Sequence, residues 1–393
     1  MKFSRLVARL AGDGSDAWRT HYAAQAALER GEDVIILSVG DPSLSTPEPV
    51  VERAVEAMRA GDTHYTAARG REALRAAIAK LHSRRSGQPV GVDEVIVAGG
   101  AQNALMVAAM CIASEGDEVL SFDPYYATYP ATLESSGADL VRVPLRAENG
   151  FRPDLADLEA AITPRSRALF FATPGNPTGV VLSEAELDGI GKIARRHDLW
   201  IVADEVYAGI APGGRVPSLA RTMPERVVTL GSLSKSHAMT GWRAGWLVAP
   251  KALADHAENL MMCMLYGLPG FVQEAALAAL AMAEESEQRV REYCAARARL
   301  MASGLADIPG IRVLVPDAGM FLMVDVRDTG LGSEGFAERL FREHGVAVMD
   351  GAAFGLQTRG FVRLSFATDE ALIVEACRRI RQFCEGLAAA RSP

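Results

Sequence analysis

Between residues 93 and 250, short runs rich in Val, Ile and Leu alternate with amphipathic segments, and no other feature restricts the possible folds as strongly. The runs fall at 94–98, 118–122, 139–143, 168–172, 199–203, 227–231 and 245–248. Strands made of near-continuous apolar residues belong to a sheet covered on both faces. Helical patterns lie between them, as at 101–114 and 183–197, the latter opening on a Ser-Glu-Ala-Glu capping box. Alternating strand and helix predict an α/β architecture with a mostly parallel seven-stranded sheet. After Pro250 the pattern changes to long helices at 252–263 and 271–299. Strands at 312–315, 319–324, 346–349 and 361–366 follow, then a last helix over 369–387. A smaller α+β domain is expected there. The first 45 residues hold too little core of their own and are expected to pack with it. The predicted division is therefore a large domain at 46–285 and a small one built from 1–45 and 286–393.

Composition removes several function classes. The 393 residues carry a net charge of −8, so no basic surface invites nucleic acid or an anionic membrane. No apolar run reaches the roughly 18 residues that a membrane span requires. The N-terminus lacks the apolar stretch and cleavage site of a secretory signal. Cys111, Cys263, Cys294, Cys377 and Cys384 contain no C-x-x-C pair, which fits neither a disulfide framework nor a zinc site. Free thiols in a reducing cytoplasm are expected, with no metal.

Five polar or Gly-rich loops follow predicted strands: Gly99-Gly100-Ala101-Gln102, Asp123-Pro124-Tyr125-Tyr126, Thr173 to Gly179, Asp204-Glu205-Val206-Tyr207 and Ser232-Leu233-Ser234-Lys235. Open α/β sheets place their ligands at the carboxyl ends of strands, so one shared site is predicted. Its chemistry can be read residue by residue. Gly100, Ala101 and Gln102 at a helix start leave N–H groups free for a phosphate. Ser232, Ser234 and Arg243 add donors to the same phosphate. Tyr125 offers a face for stacking on a planar ring. Asp204, ending a buried strand, suits a protonated ring nitrogen, and Asn176 and Tyr207 suit a phenolate oxygen. Lys235 is an amine able to form a Schiff base with an aldehyde. Phosphate, ring nitrogen, phenolate and aldehyde together describe pyridoxal 5′-phosphate.

The run Ser-Leu-Ser-Lys-Ser-His-Ala-Met-Thr-Gly-Trp-Arg-Ala-Gly at 232–245 resembles the cofactor-lysine signature of fold-type I, class I/II aminotransferases. The likeness extends from Val39-Gly40-Asp41-Pro42 through Pro174-Gly175-Asn176-Pro177-Thr178-Gly179 to Val362-Arg363-Leu364-Ser365. Within that family, residues 149–152, 232–243 and 263–267 most resemble the bacterial arginine–pyruvate transaminases. The resemblance implies the transfer of an amino group from an L-amino acid to a 2-oxo acid such as pyruvate, with Lys235, Asp204 and Tyr207 catalytic. It implies that Arg363 holds the substrate α-carboxylate, assisted by Gly40 and Asn176. It implies a homodimer with shared sites, Tyr65 reaching the partner's cofactor phosphate, and closure of the segment around Trp18 over the substrate.

An aspartate-using bacterial subgroup carries Lys at the position of Ala101, so Ala101 turns the expectation toward arginine or another long side chain. The alternatives are an aspartate, broad-range or aromatic aminotransferase, and a carbon–sulfur β-lyase on the same scaffold. The Gly12-Asp13-Gly14-Ser15-Asp16-Ala17 run fits a loose dinucleotide fingerprint, but no strand precedes it. His237, two residues from Lys235, is expected to be structural.

Overall fold

A computed structural model describes residues 2–10 and 18–390; the Gly12–Ala17 run lies outside them. Its strands are β1 (Ile35–Ile36), β2 (Val95–Ala98), β3 (Glu118–Asp123), β4 (Asp139–Pro144), β5 (Ser166–Ala172), β6 (Trp200–Asp204), β7 (Val227–Ser232), β8 (Gly245–Val248), β9 (Arg312–Leu314), β10 (Phe321–Asp325), β11 (Val346–Ala347), β12 (Met349–Asp350) and β13 (Phe361–Ser365). Seven of them form one sheet in the order β2-β8-β7-β6-β5-β3-β4, parallel except at β8, which runs against both β2 and β7. The near-continuous apolar runs are explained by burial: β2, β3, β7 and β8 are buried along their whole length. Helices cover both faces of the sheet. One of them, Glu184–Arg196, starts at the Ser183–Glu186 capping box and carries Arg195 and Arg196 in its last turn, where the dipole favours cations.

Register brings the strand ends to one edge. Ala172 pairs with Asp204, and Asp204 with Leu230, so the loops after β5, β6 and β7 leave side by side. A second, four-stranded antiparallel sheet, β12-β13-β10-β9, places Arg363 on an inner strand between Met323 and Met349. The N-terminal residues join this second body: β1 pairs with β11, and Leu37 O accepts from Ser365 N at 2.7 Å. Ile35 and Leu37 share one core with Phe336, Leu364 and Phe383.

Two expected elements are divided. The helix expected over 271–299 is two helices, Gly270–Ala281 and Ala283–Leu305, broken at Met282 (φ −103°, ψ 17°). The first packs on Glu48–Arg59 and Glu72–Ser86, and the second on Glu370–Ala389, so each half follows a different neighbour. The strand expected at 346–349 splits because its first half pairs with β1 and its second with β13. Among the described residues no helix is long and apolar enough to cross a membrane.

Candidate active site

A cavity of about 330 Å³ opens at the shared strand edge, between the seven-stranded sheet and the small sheet. Its lining brings together Gly40, Ala101, Gln102, Asn176, Asp204, Tyr207, Ser232, Ser234, Lys235, Arg243 and Arg363. Trp18, Tyr126, Thr240 and Phe321 line it as well. A larger open groove, about 1170 Å³, lies elsewhere, between the helices Arg19–Glu29 and Ser333–His344. It carries none of these groups, and its Arg30, Arg342 and Arg379 are paired with nearby carboxylates.

Lys235 sits in the turn after β7, and its Nζ donates to the Gly40 carbonyl at 2.6 Å. Burial, reinforced by the positive charges of Arg363 and Arg243, lowers its pKa to about 8, although Asp41 and Asp204 oppose the shift. An amine in that range is available as a neutral base near physiological pH. Asp204 closes β6 with its side chain partly buried at the cavity wall. Its Oδ1 accepts from Val206 N at 3.2 Å and its Oδ2 from the Tyr129 hydroxyl at 3.2 Å. Burial raises its pKa to about 6 despite those bonds and Lys235, so the carboxylate favours a further cationic partner.

At the start of the helix Ala101–Ile112, Gly100 adopts φ 85°, ψ 168°, a region essentially confined to glycine. A Cβ there would stand 2.4 Å from Arg243 Nη2. Arg243, itself at φ 55°, donates to Thr240 O at 2.8 Å, which turns its guanidinium across the helix N-terminus. Ser232 Oγ donates to Ser234 Oγ at 2.9 Å and accepts from Ser234 N at 3.0 Å, forming a compact turn beside them. Backbone amides, two hydroxyls and a guanidinium at a helix N-terminus are a phosphate cradle. With the Asp204 carboxylate and the low-pKa lysine, the donor set fits pyridoxal 5′-phosphate.

Arg363, the expected anchor of the substrate carboxylate, lines the same cavity. This side chain is wholly buried, and burial lowers its pKa to about 10. Nη1 donates to Asn176 Oδ1 at 2.9 Å and Nη2 to Ser38 O at 2.6 Å. Its guanidinium carbon lies 3.9 Å from the Phe321 ring centre and 4.5 Å from that of Phe354. Buried Nε has no hydrogen-bond partner among the described residues, a vacancy of the kind an incoming carboxylate fills. Tyr207 is buried against Phe321, and burial raises its pKa well above the ordinary phenol value.

Three expected site residues fall outside the lining: Gly100, which adjoins it through Ala101, and Tyr125 and Tyr65. The Tyr125 hydroxyl turns away to accept from Arg142 Nε at 3.0 Å, and Tyr126 takes the cavity side. Tyr65 is 88 % exposed and its ring lies tilted at 57° against that of Tyr266, with centroids 4.7 Å apart. His237 is buried, its Nδ1 2.8 Å from the Ser236 hydroxyl, and does not line the cavity. Sequence reasoning missed Tyr129, the donor to Asp204, and Phe321, the wall under Arg363. Tyr129 opens the helix Tyr129–Glu134, three residues beyond the Asp123–Tyr126 loop counted among the site loops, and no local signal aims its hydroxyl at Asp204.

The family model described as aminotransferase class I and II matches residues 32–380. The arginine–pyruvate transaminase of Pseudomonas aeruginosa is 47 % identical over 382 residues, which cover 97 % of each chain. The aspartate aminotransferase of Pyrococcus horikoshii is 34 % identical over 360 residues, covering 90 % of this chain and 92 % of that one. Among solved structures, the aspartate aminotransferase from Thermus thermophilus with maleate superposes with a TM-score of 0.92 at 32 % identity, covering 97 % and 99 % of the two chains.

Proposed function

Since the chain belongs to the class I and II aminotransferases and depends on pyridoxal 5′-phosphate, we propose that it moves the amino group of L-arginine, or a similarly long amino acid, to a small 2-oxo acid such as pyruvate. The observation that carries the amino-acid chemistry is the buried Arg363 with its vacant Nε, facing the same cavity as Lys235 and Asp204. The substrate choice rests on the 47 % identical arginine–pyruvate transaminase and on Ala101, which offers no charge to the distal carboxylate of aspartate.

When bound, the cofactor supplies an aldehyde for amine exchange and an electron-withdrawing ring that acidifies the substrate Cα. Gly100, Ala101, Gln102, Ser232, Ser234 and Arg243 would hold its phosphate, and Asn176 and Tyr207 its phenolate. Asp204, kept in place by Val206 and Tyr129, would hold the ring nitrogen in its protonated form. Arg363 and Asn176 orient the substrate by its α-carboxylate, with Gly40 close by. Lys235 Nζ, neutral above a pKa of about 8, would take the proton from the substrate Cα and deliver it to the carbon that had been the cofactor's aldehyde carbon. The largely apolar lining around Leu105 and Phe321 excludes water from that transfer.

The assembly proposed is a homodimer in which Tyr65 reaches the partner's cofactor phosphate. Support comes from the exposure of the Tyr65–Tyr266 pair, with Met262 and Met264 also exposed on the preceding helix, an apolar cluster in need of cover. The division at 46–285 is supported by the sheets, one lying within 95–248 and the other within 312–365. A cytoplasmic location is supported by five free cysteines.

A half-reaction tests the substrate. The holoenzyme is mixed in turn with L-arginine, L-aspartate, L-alanine and an aromatic amino acid while the visible absorbance of the bound cofactor is followed. Fast bleaching with arginine and slow bleaching with aspartate is expected; the reverse order refutes the arginine assignment. Sedimentation of the same preparation checks the dimer.

A further inference from the structure

Arg363 takes its orientation from few groups. Besides Asn176, the only protein acceptor among the described residues is the Ser38 carbonyl, 2.6 Å from Nη2. Ser38 is fully buried, and its hydroxyl lies 2.9 Å from Nδ1 of His21. His21 projects from the helix Arg19–Glu29, buried, with Trp18 of the cavity wall edge-on to its ring at 5.6 Å. The backbone of the same segment is pinned on either side of Ser38. Leu37 N donates to Ala347 O at 2.8 Å, and Gly40 O accepts from Lys235 Nζ at 2.6 Å.

We propose that His21 is a positioning residue for the substrate α-carboxylate: through the Ser38 hydroxyl it fixes the peptide whose carbonyl orients Arg363. The inference rests on Arg363 being the carboxylate anchor. A buried hydroxyl deprived of its partner seeks another, and at Ser38 any backbone shift made to supply one moves the carbonyl that Arg363 depends on. Carboxylate pairing by guanidinium demands that alignment, because its two parallel bonds form only in one plane. Burial and the charge of Arg363 both push the imidazole pKa of His21 down, so the ring stands neutral beside a guanidinium that would repel a second cation.

The test uses the holoenzyme and four variants, His21→Phe, His21→Asn, Ser38→Ala and Arg363→Lys. The donor is whichever of L-arginine, L-alanine and L-aspartate is fastest, and the acceptor is pyruvate. His21→Phe is expected to raise KM for donor and acceptor alike by roughly three- to tenfold, the span of one neutral hydrogen bond, with kcat within about twofold. His21→Asn, whose side-chain amide can stand where Nδ1 stands, restores KM. Ser38→Ala reproduces the rise, and adding His21→Phe to it raises KM no further. A structural role alone would lower the melting temperature without this split or this rescue. KM unmoved in both His21→Phe and Ser38→Ala, or no restoration by Asn, overturns the proposal; should His21→Phe fail to fold, Ser38→Ala decides. If Arg363→Lys leaves KM unchanged, the anchor assignment itself falls. If Arg363→Lys raises KM while the other variants do not, only the role of His21 falls.

Discussion

Gly100→Ala separates two contributions that the cofactor cradle combines. The first is conformational: at φ 85°, ψ 168° an alanine pays about 1–3 kcal/mol of backbone strain. That strain is present with or without cofactor, so it appears in the unfolding midpoint of the apoprotein. The second is spatial. The new Cβ would stand 2.4 Å from Arg243 Nη2 and 3.0 Å from its Cζ, and the guanidinium must retreat from the helix N-terminus. Retreat loses a charge-assisted hydrogen bond to the phosphate, about 1.5–3 kcal/mol, or roughly a 10- to 150-fold rise in cofactor Kd. Titrating apoprotein with pyridoxal 5′-phosphate and following tryptophan fluorescence measures that Kd. Gly99→Ala is the control, since a Cβ there meets nothing closer than Leu265 Cδ2 at 3.5 Å. A Gly100→Ala Kd within twofold of the parent, or an equal loss in Gly99→Ala, refutes the cradle.

Lys235→Ala should abolish turnover while the apoprotein still binds free cofactor, because Ser232, Ser234 and Arg243 remain; steady-state turnover at the parent rate would sink the assignment. Asp204→Asn keeps the size of the side chain and partners for Val206 N and the Tyr129 hydroxyl, yet removes the charge. Its turnover should fall by about 10²–10³-fold, and a loss under tenfold in stopped-flow traces would contradict the ring-nitrogen role. In the apoprotein, acylation of Lys235 mapped by mass spectrometry should be half-maximal near pH 8 rather than 10.5. The sign for stability follows: between those values the unfolded chain binds the extra proton, so this group makes the apoprotein more stable as pH rises through that window. In Gly40→Ala the Cβ would come 2.4 Å from Phe321 Cζ and displace the ring that packs on Arg363. Overpacking of that kind costs about 1–3 kcal/mol of stability, and the displaced ring should raise the donor KM; an unchanged KM would count against the anchor.

The strands of the large sheet were legible because burial on both faces forces apolar runs, and only β5 extends more than one residue beyond its run, at its start. Helix boundaries were legible where a local signal sets them, as at the Ser183 capping box. The break at Met282 has no such signal. Met282 is neither Gly nor Pro, and the apolar stretch continues through it. The break exists because 270–281 and 283–305 answer to different partners, a long-range fact that periodicity does not encode.

The site divides along the same line. Lys235, Asp204 and the Gly100 cradle were legible because each sits at a strand end, where topology alone decides what it faces. Tyr125 and Tyr126 were not separable, since a loop has no period to say which of two adjacent rings turns inward. Here Arg142 on β4 captures the first and leaves the second to the cavity. Arg363 shows why even a legible residue does not disclose its mechanism. A lone arginine within Phe-Val-Arg-Leu-Ser, a strand buried at every position, already demands partners. Those partners, Ser38, Asn176, Phe321 and Phe354, come from four separate parts of the chain. Between them they occupy Nη1 and Nη2 and flank the guanidinium, while Nε remains vacant. A charge buried at a desolvation cost that its protein partners only partly offset gains most from an incoming anion. With Arg363 as the proposed anchor, substrate binding would complete a pairing that folding left open, so perturbations at Ser38 and His21 should surface in KM before they surface in stability.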